Sequence, residues 1–219
     1  MALDDPGPLI GLHLTNLELA PWTGPGSRPL SAAEQAYLDQ AERWDQAERG
    51  YTAIQSTKPQ TLGYALNDSP AGLAAWIIDK YRDWSDCDGN LEARWDKDTL
   101  LTVATLYWAT GTIGTSFRQY YNYFLNDPVP QITVPAAVTL SGEPAYATYP
   151  RSLAERVFTD LRHWNAPHRG GHFMAHEEPA QTASELRTFF RPLRQASRSA
   201  RPASADTAVQ ADQGLGSRT

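Results

Sequence analysis

The 219-residue chain has little cysteine, no excess of basic residues and no long apolar run. Its single cysteine, Cys87, excludes an internal disulfide and suits a reducing compartment. Its formal net charge of −6 argues against a broad nucleic-acid-binding surface. No run approaches the roughly 18 apolar residues that a membrane helix needs, and the first residues lack the basic stretch of a signal peptide. We therefore expect a soluble, cytoplasmic protein with no nucleic-acid partner and no membrane segment.

What the chain does contain is enough apolar material for a packed core, because 41% of its residues are hydrophobic. Short apolar runs of strand type are separated by segments with helical periodicity. Two helix starts are marked by good caps, a capping box at Ser31 and Glu34, and Ser69 followed by Pro70. The predicted strands are 9–15, 132–140 and 160–167. The predicted helices are 31–51, 67–84, 151–158 and 179–194. Two further helices are predicted within 96–124, separated or bent at Gly111 and Gly114.

This order of elements predicts an α/β protein with a parallel sheet and a helical insertion. Pro135 lies inside the second predicted strand and indicates an edge or the start of that strand. Residues 195–219 are rich in Ser, Ala, Arg, Gln and Gly, have almost nothing to bury, and are predicted to form a disordered tail.

The stretch "HRGGHFMAHEEP", residues 168–179, holds three of the five histidines. On a continuous helix His168, His172 and His176 would share one face and two of them could bind a metal. Gly170 and Gly171 disfavour a helix there, and no cysteine is nearby. We therefore expect neither a metal nor a cofactor.

The same stretch suits a catalytic histidine, His172, on a glycine-containing loop after a strand. The acid that orients such a histidine comes from an earlier strand end in α/β-hydrolases. Glu143 follows the second predicted strand and has that position. On spacing alone, however, an ordinary loop carboxylate is the preferred interpretation of Glu143.

Several longer segments closely resemble epoxide hydrolases of the microsomal and juvenile-hormone type, a branch of the α/β-hydrolase family. They are "GLHLTNLEL", "GYTAIQSTKPQTLGYALNDSPAGLAAWIIDKYRDWSD", "LLTVATLYWATGTIGTSFRQYY" and "RGGHFMAHEEP", within residues 8–193. The resemblance implies an incomplete α/β-hydrolase fold, namely the C-terminal part of the parallel sheet plus a helical cap. The implied divisions are a partial core at 1–28, the cap at 29–128, the C-terminal core at 129–194 and the tail at 195–219.

The resemblance also implies a mechanism in which an aspartate opens a small apolar epoxide, forming an ester that water hydrolyses to a diol. Tyr51 in "GYTAIQ" and Tyr120 in "FRQYY" match the two tyrosines that donate to the epoxide oxygen, with Tyr121 as the alternative to Tyr120. His172 matches the general base, and Glu143 matches its orienting acid. The family has a Phe-Pro pair before that acid, whereas this chain has "LSGEP", which weakens the match.

The same resemblance implies a role in detoxification and a pocket shaped by the cap, with Trp76, Trp108 and Phe117 as its nearby aromatic residues. No cofactor is implied.

The family's nucleophile elbow, "GGDWG"-like, and its oxyanion segment, "HGWPG"-like, do not occur in these 219 residues. Asp4 and Asp5 precede the first strand in a loop and do not replace the nucleophile. We therefore expect a chain that is inactive alone and whose partner is a missing N-terminal half or an oligomer partner. Two alternatives stay open: a different α/β-hydrolase, such as an esterase or dehalogenase, and a non-catalytic remnant that serves as an interaction module.

Without further strands, the apolar faces and edges of the predicted sheet would be open. We therefore expect the isolated chain to aggregate, to fold poorly or to depend on a partner. Size-exclusion chromatography and thermal melting of the purified chain measure this. A monomer with a sharp melting transition would contradict the expectation.

Overall fold

The computed structural model describes residues 2, 6–17, 21–123, 125, 131–167 and 169–199. Its sheet has three parallel strands in the order β1-β2-β3: β1 is Leu12–Leu14, β2 is Ala136–Thr139 and β3 is Leu161–Asn165. β2 is fully buried, as expected for the central strand of a parallel sheet. The predicted parallel α/β sheet with a helical insertion is therefore confirmed.

Among the described residues, seven helices lie between β1 and β2, and three follow β2. Those between β1 and β2 are α1 Ala32–Glu48, α2 Gly50–Thr57, α3 Pro59–Asp68, α4 Pro70–Trp84, α5 Lys97–Thr110, α6 Ile113–Ser116 and α7 Arg118–Tyr123. Those after β2 are α8 Arg151–Val157, α9 Met174–Glu177 and α10 Pro179–Ser199. Short 3₁₀ turns occupy Leu91–Ala93 and Pro144–Tyr146.

Both predicted helix caps are present. The Ser31 hydroxyl accepts a hydrogen bond from the Glu34 N–H, and the Glu34 carboxylate accepts one from the Ser31 N–H. The Ser69 hydroxyl accepts from the N–H of Gly72, with Pro70 at the first helical position. The hydrogen bonds of both caps satisfy backbone donors that have no partner within the helix.

The helix predicted over 31–51 is in fact two helices, a correction that matters for the site. The chain leaves helical geometry at Arg49, and α2 begins at Gly50. Arg49 caps α1 by donating its N–H to the carbonyl oxygen of Asp45. Tyr51 therefore belongs to the first turn of a new helix.

Other predicted boundaries also shift. All three strands are shorter than predicted, and Pro135 directly precedes β2, as one of its two interpretations required. Gly111, in the left-handed conformation, ends α5, whereas Gly114 lies inside α6 and approaches Gly63. The region 96–124 thus forms three helical segments in its described part.

The final helix continues to Ser199, beyond the predicted end at residue 194. Gln195, Ala196 and Arg198 tolerate helix well, so composition alone misplaced its end. The rest of the predicted disordered tail, residues 200–219, lies outside the described residues.

The helices α1 to α7 that lie between β1 and β2, called the cap below, and the sheet have separate hydrophobic clusters. Helices α3 to α6 bury the cap cluster, while the strands and α8 bury the sheet cluster; Phe189 and Leu193 of α10 cover the sheet at Ala137. The cap cluster is Leu66, Leu73, Ala104, Ile113 and Phe117. The sheet cluster is Leu17, Ile132, Val134, Ala136, Val138, Leu140, Tyr146, Ala154, Val157 and Phe158.

A buried ion pair joins the start of the cap to the core. Glu34 of α1 lies 3.0 Å from the guanidinium of Arg156 in α8, and both side chains are almost fully buried. Arg28 also donates to Glu34, and together Arg28 and Arg156 hold the pKa of Glu34 far below its ordinary value. Arg156 further donates to the carbonyl oxygens of Arg28 and Pro29, which fixes the segment before α1.

None of the described helices has both the length and the apolar character that a membrane span requires.

Replacing Arg156 with Met should destabilise the fold by roughly 3–5 kcal/mol, because Glu34 loses one of its cations and the carbonyls lose their donor. Arg151→Met is the matched control: Arg151 forms an exposed pair with Glu155 one turn away on the same helix, and such pairs contribute about 0–0.5 kcal/mol. Urea unfolding at low protein concentration compares the two. Equal midpoints for both variants would show that the buried pair does not anchor the cap.

Candidate active site

Three polar side chains follow the three strands at one edge of the sheet. Asn16 comes after β1, Glu143 after β2 and His172 after β3. The carboxyl ends of parallel strands lie at the same edge, which is where open α/β sheets carry their sites. The chain order therefore places these side chains together although they are far apart in sequence.

His172 and Glu143 are in contact. The imidazole Nδ1 of His172 lies 3.2 Å from Oε1 of Glu143, with the histidine side chain 34% exposed and the carboxylate 12% exposed. The hydroxyl of Ser141 donates to the same oxygen at 2.7 Å and holds the carboxylate in place. A proton on Nδ1 that faces Glu143 leaves Nε2 as the basic nitrogen of the ring. The arrangement can thus orient a general base.

Asn16 is a neighbour of His172 that the sequence reasoning missed. Its amide nitrogen lies 3.2 Å from Nδ1 of His172 and 3.5 Å from the carbonyl oxygen of the same residue. Nδ1 can accept from Asn16 or donate to Glu143, and the tautomer of the ring decides which. The signal that could have found Asn16 is its position directly after a strand, like that of Glu143.

The two predicted tyrosines meet across the cap. The ring centroids of Tyr51 in α2 and Tyr120 in α7 are 5.9 Å apart, in an edge-on arrangement. Tyr121, the alternative to Tyr120, is 52% exposed. The geometry therefore favours Tyr120 as the partner of Tyr51.

Trp84, the last residue of α4, connects the tyrosines to the histidine. Its ring centroid lies 5.4 Å from that of Tyr51 and 5.0 Å from that of His172. The rings of four residues therefore form one continuous row, in the order Tyr120, Tyr51, Trp84 and His172. Glu143 contacts His172 at the end of this row. The position of Trp84 in this row could be seen only in the structure, because its contacts join segments that are far apart in the sequence.

The loop that carries His172 packs tightly against the end of α4. A Cβ atom on Gly171 would lie 2.3 Å from the carbonyl oxygen of Trp84, so no side chain fits there. The backbone N–H of His172 donates to that carbonyl oxygen at 2.8 Å. Gly170 has a φ of +82°, a left-handed conformation that favours glycine. The two glycines thus allow the turn and the close approach.

The three cap aromatics named from the sequence lie elsewhere. Phe117 is buried in the cap cluster, and Trp76 packs against that cluster. Trp108 is exposed and donates its indole N–H to the carbonyl oxygen of Asn67. The aromatic residues near His172 are instead Trp84 and Phe173.

The described part of the chain contains no group of three His, Cys, Asp or Glu residues arranged to hold a metal. His176 stacks on Trp95, with ring centroids 4.0 Å apart and planes 9° apart. His168, the third histidine of the metal hypothesis, lies outside the described residues.

A second histidine and carboxylate cluster joins α10 to the sheet. Glu185 accepts from Asn165 at 2.7 Å and is hydrogen-bonded to His163, and His13 is bonded to Thr139. Burial raises the pKa of Glu185, but the bonds from His163 and Asn165 outweigh it and leave that pKa below its ordinary value. Burial lowers the pKa of His13. This cluster fastens α10 to the strands.

Solved structures of known proteins have a fold similar to that of this chain. The chain is similar to the crystal structure of juvenile hormone epoxide hydrolase from the silkworm Bombyx mori, with a TM-score of 0.75, 29% identity, and coverage of 90% of this chain and 52% of that chain. An epoxide hydrolase of Aspergillus niger gives a TM-score of 0.69 at 26% identity, covering 88% of this chain and 48% of that chain. The fold is therefore that of the α/β-hydrolases.

Curated relatives indicate to which family of α/β-hydrolases the chain belongs. A protein of Stigmatella aurantiaca named "Putative epoxide hydrolase" is 40% identical over 86% of this chain and 43% of its own length. Epoxide hydrolase 1 of Sus scrofa is 39% identical over 68% of this chain and 35% of its own length. No family model matches the chain.

Within the α/β-hydrolases, the chain belongs to the family of the microsomal and juvenile-hormone epoxide hydrolases, whose C-terminal part it matches. It spans less than half the length of these curated relatives.

Proposed function

We propose that this chain supplies the base, its orienting acid and the oxygen donors of an epoxide hydrolase. The observation that carries the proposal is the row of rings: Tyr120 and Tyr51 meet each other, and Trp84 joins Tyr51 to His172, whose Nδ1 faces Glu143. Two phenols near a base oriented by a carboxylate are the groups that ring opening followed by ester hydrolysis requires.

The first step opens the epoxide. An aspartate outside these 219 residues attacks one ring carbon, a C–O ester bond forms, and the C–O bond of the ring breaks. Tyr51 and Tyr120 donate hydrogen bonds to the departing oxygen, and one of them gives it a proton. Fixed donors stabilise the developing alkoxide more than water does, because they need no reorganisation.

The second step hydrolyses the ester. His172 takes a proton from water through Nε2, while Glu143 stabilises the imidazolium that forms. The hydroxide attacks the ester carbonyl, the ester C–O bond breaks, and the departing alkoxide takes the proton of the new carboxyl group to give the diol and the ionised aspartate. The proton on His172 returns to the tyrosine that gave one up. A covalent intermediate replaces one difficult step by two easier ones.

The substrate in this proposal is a small apolar epoxide. The ring of Trp84 lies between Tyr51 and His172 and offers apolar contact to the carbon skeleton. A role in detoxification and a cytoplasmic location belong to the same proposal; the buried free thiol of Cys87 suits a reducing compartment.

The partner in this proposal is the segment that carries the nucleophile. No "GGDWG"-like elbow and no "HGWPG"-like segment occur within these 219 residues. The missing N-terminal half fits the coverage of the relatives, of which this chain spans 43% and 35%. That half can be joined to this chain or can associate with it as a separate polypeptide.

The base assignment is tested in a protein made by joining the N-terminal part of the Stigmatella aurantiaca relative to this chain. His172→Gln should leave ester formation intact and stop its hydrolysis, so that the alkyl-enzyme ester accumulates. Mass spectrometry of the intact protein after exposure to an aryl epoxide measures the adduct. Diol formation by the variant at the unmodified rate would rule out His172 as the base.

The donor assignment is tested in the same protein by Tyr51→Phe and Tyr120→Phe. Each should slow ester formation by about 10²–10³-fold, as expected for the loss of one donor to a developing oxyanion. Tyr121→Phe is the matched control, since Tyr121 is more than half exposed, and should react at the unmodified rate. Single-turnover kinetics distinguishes the variants; a slow Tyr121→Phe with a normal Tyr120→Phe would reverse the choice between them.

A further inference from the structure

The carboxylate of Glu177 accepts hydrogen bonds from three backbone N–H groups on two separate segments. Its Oε2 accepts from Asp86, just beyond the end of α4, at 2.7 Å and from Gly171 at 3.1 Å. Its Oε1 accepts from Phe173 at 3.1 Å. Glu177 is only 8% exposed. One buried carboxylate thus holds both residues that flank His172 and the cap segment opposite them.

Other contacts join the same two segments. The N–H of His172 donates to the Trp84 carbonyl oxygen, and the N–H of Gly170 donates to Oδ2 of Asp86 at 2.9 Å. Arg94 donates to the Asp86 carbonyl oxygen at 2.7 Å and lies 3.2 Å from its carboxylate. The end of α4 and the histidine loop therefore form one hydrogen-bonded junction, with Glu177 at its buried centre.

The junction lies directly behind the row of rings. Trp84, whose carbonyl oxygen is part of the junction, places its ring between Tyr51 and His172. A shift of the loop relative to α4 would therefore change the separation between the oxygen donors and the base. Reacting groups must be held within fractions of an ångström for efficient catalysis.

We propose that Glu177 is a positioning residue that fixes the His172 loop to the end of α4 and so sets the distance between His172 and the cap tyrosines. The catalytic meaning of this role rests on the proposed function; the mechanical coupling does not. A carboxylate suits the role because it only accepts hydrogen bonds and has two oxygens for three donors.

Glu178, the next residue, offers a matched control. It is also acidic, but its carboxylate is 20% exposed and pairs with the side chains of Arg94 and Arg169 instead of the loop backbone. Its replacement removes the same charge one position away.

The experiment compares Glu177→Gln with Glu178→Gln in this chain. The chain is measured by itself if it is soluble, and otherwise in complex with the N-terminal partner segment. A glutamine side chain has one oxygen only, so at least one of the three N–H donors loses its acceptor. By NMR, Glu177→Gln should accelerate hydrogen exchange of the Asp86, Gly171 and Phe173 amides by about tenfold or more. It should also shift the His172 ring resonance and weaken the nuclear Overhauser effect between His172 and Trp84. Glu178→Gln removes only side-chain pairs with Arg94 and Arg169 and keeps all three backbone bonds to Glu177, so it should change these signals less. Unchanged His172–Trp84 signals in a folded Glu177→Gln variant would overturn the proposal.

The unsubstituted chain gives a second measurement that does not depend on the stability of the variant. If Glu177 couples the two segments, the amides of Asp86, Gly171 and Phe173 exchange through one shared opening and have similar protection. Protection of Asp86 that differs from that of Gly171 and Phe173 by more than about tenfold would show that the segments open independently.

Gly171→Ala provides an independent perturbation of the junction, because its Cβ would lie 2.3 Å from the Trp84 carbonyl oxygen. It should change the His172–Trp84 signals as Glu177→Gln does. Gly114→Ala is its control, since a Cβ on Gly114 meets nothing within 4 Å. Normal His172–Trp84 signals in Gly171→Ala would contradict the coupling.

Activity distinguishes this proposal from the proposed function. In an active joined protein, Glu177→Gln should lower kcat at least about tenfold with little change in KM, since positioning acts on the bound reactants. If the joined protein makes no diol while the NMR coupling is present, the proposed function fails and the junction stands. If diol forms at an unchanged kcat in Glu177→Gln, the positioning role fails and the proposed function stands.

Discussion

The close approach of Gly171 to the backbone of Trp84, Ser85 and Asp86 is the constraint on which the site depends. Because no side chain fits between the two segments, the histidine loop lies against the end of α4 without a gap. The carboxylate of Glu177 satisfies the N–H groups that this contact buries. Contacts with the cap therefore position His172 as much as contacts with the sheet do. The ring of Trp84 lies between His172 and Tyr51 and connects their positions.

Much of the site could be predicted from the sequence, because local signals and a family resemblance pointed to it. The caps at Ser31 and Ser69, the parallel strands and the pairing of His172 with Glu143 all appear in the structure. The choice between Tyr120 and Tyr121 could not be made by register alone, since the residues are adjacent; the contact of Tyr120 with Tyr51 and the exposure of Tyr121 favour Tyr120. The catalytic roles of these residues stay predictions.

The residues that sequence reasoning missed act through contacts between distant segments. Asn16 and Trp84 reach His172 from elsewhere in the chain, and Glu177 joins the loop of His172 to the backbone of Asp86. No period or cap marks such contacts. The break of the first cap helix at Arg49 was missed because the run of Ala, Glu and Gln before it favours helix. Contacts between distant segments depend on tertiary packing, which the sequence pattern does not encode.

The insertion of the cap between β1 and β2 determines how freely the length of the cap can vary. His13 and Thr139, hydrogen-bonded across these neighbouring strands, are 126 residues apart in sequence. The entropy of closing so long a loop grows only with the logarithm of its length, so doubling it would cost only about 0.6 kcal/mol more. The strands therefore tolerate caps of very different length and helix content at nearly constant stability, provided that the segment carrying Trp84 and Asp86 returns to the histidine loop.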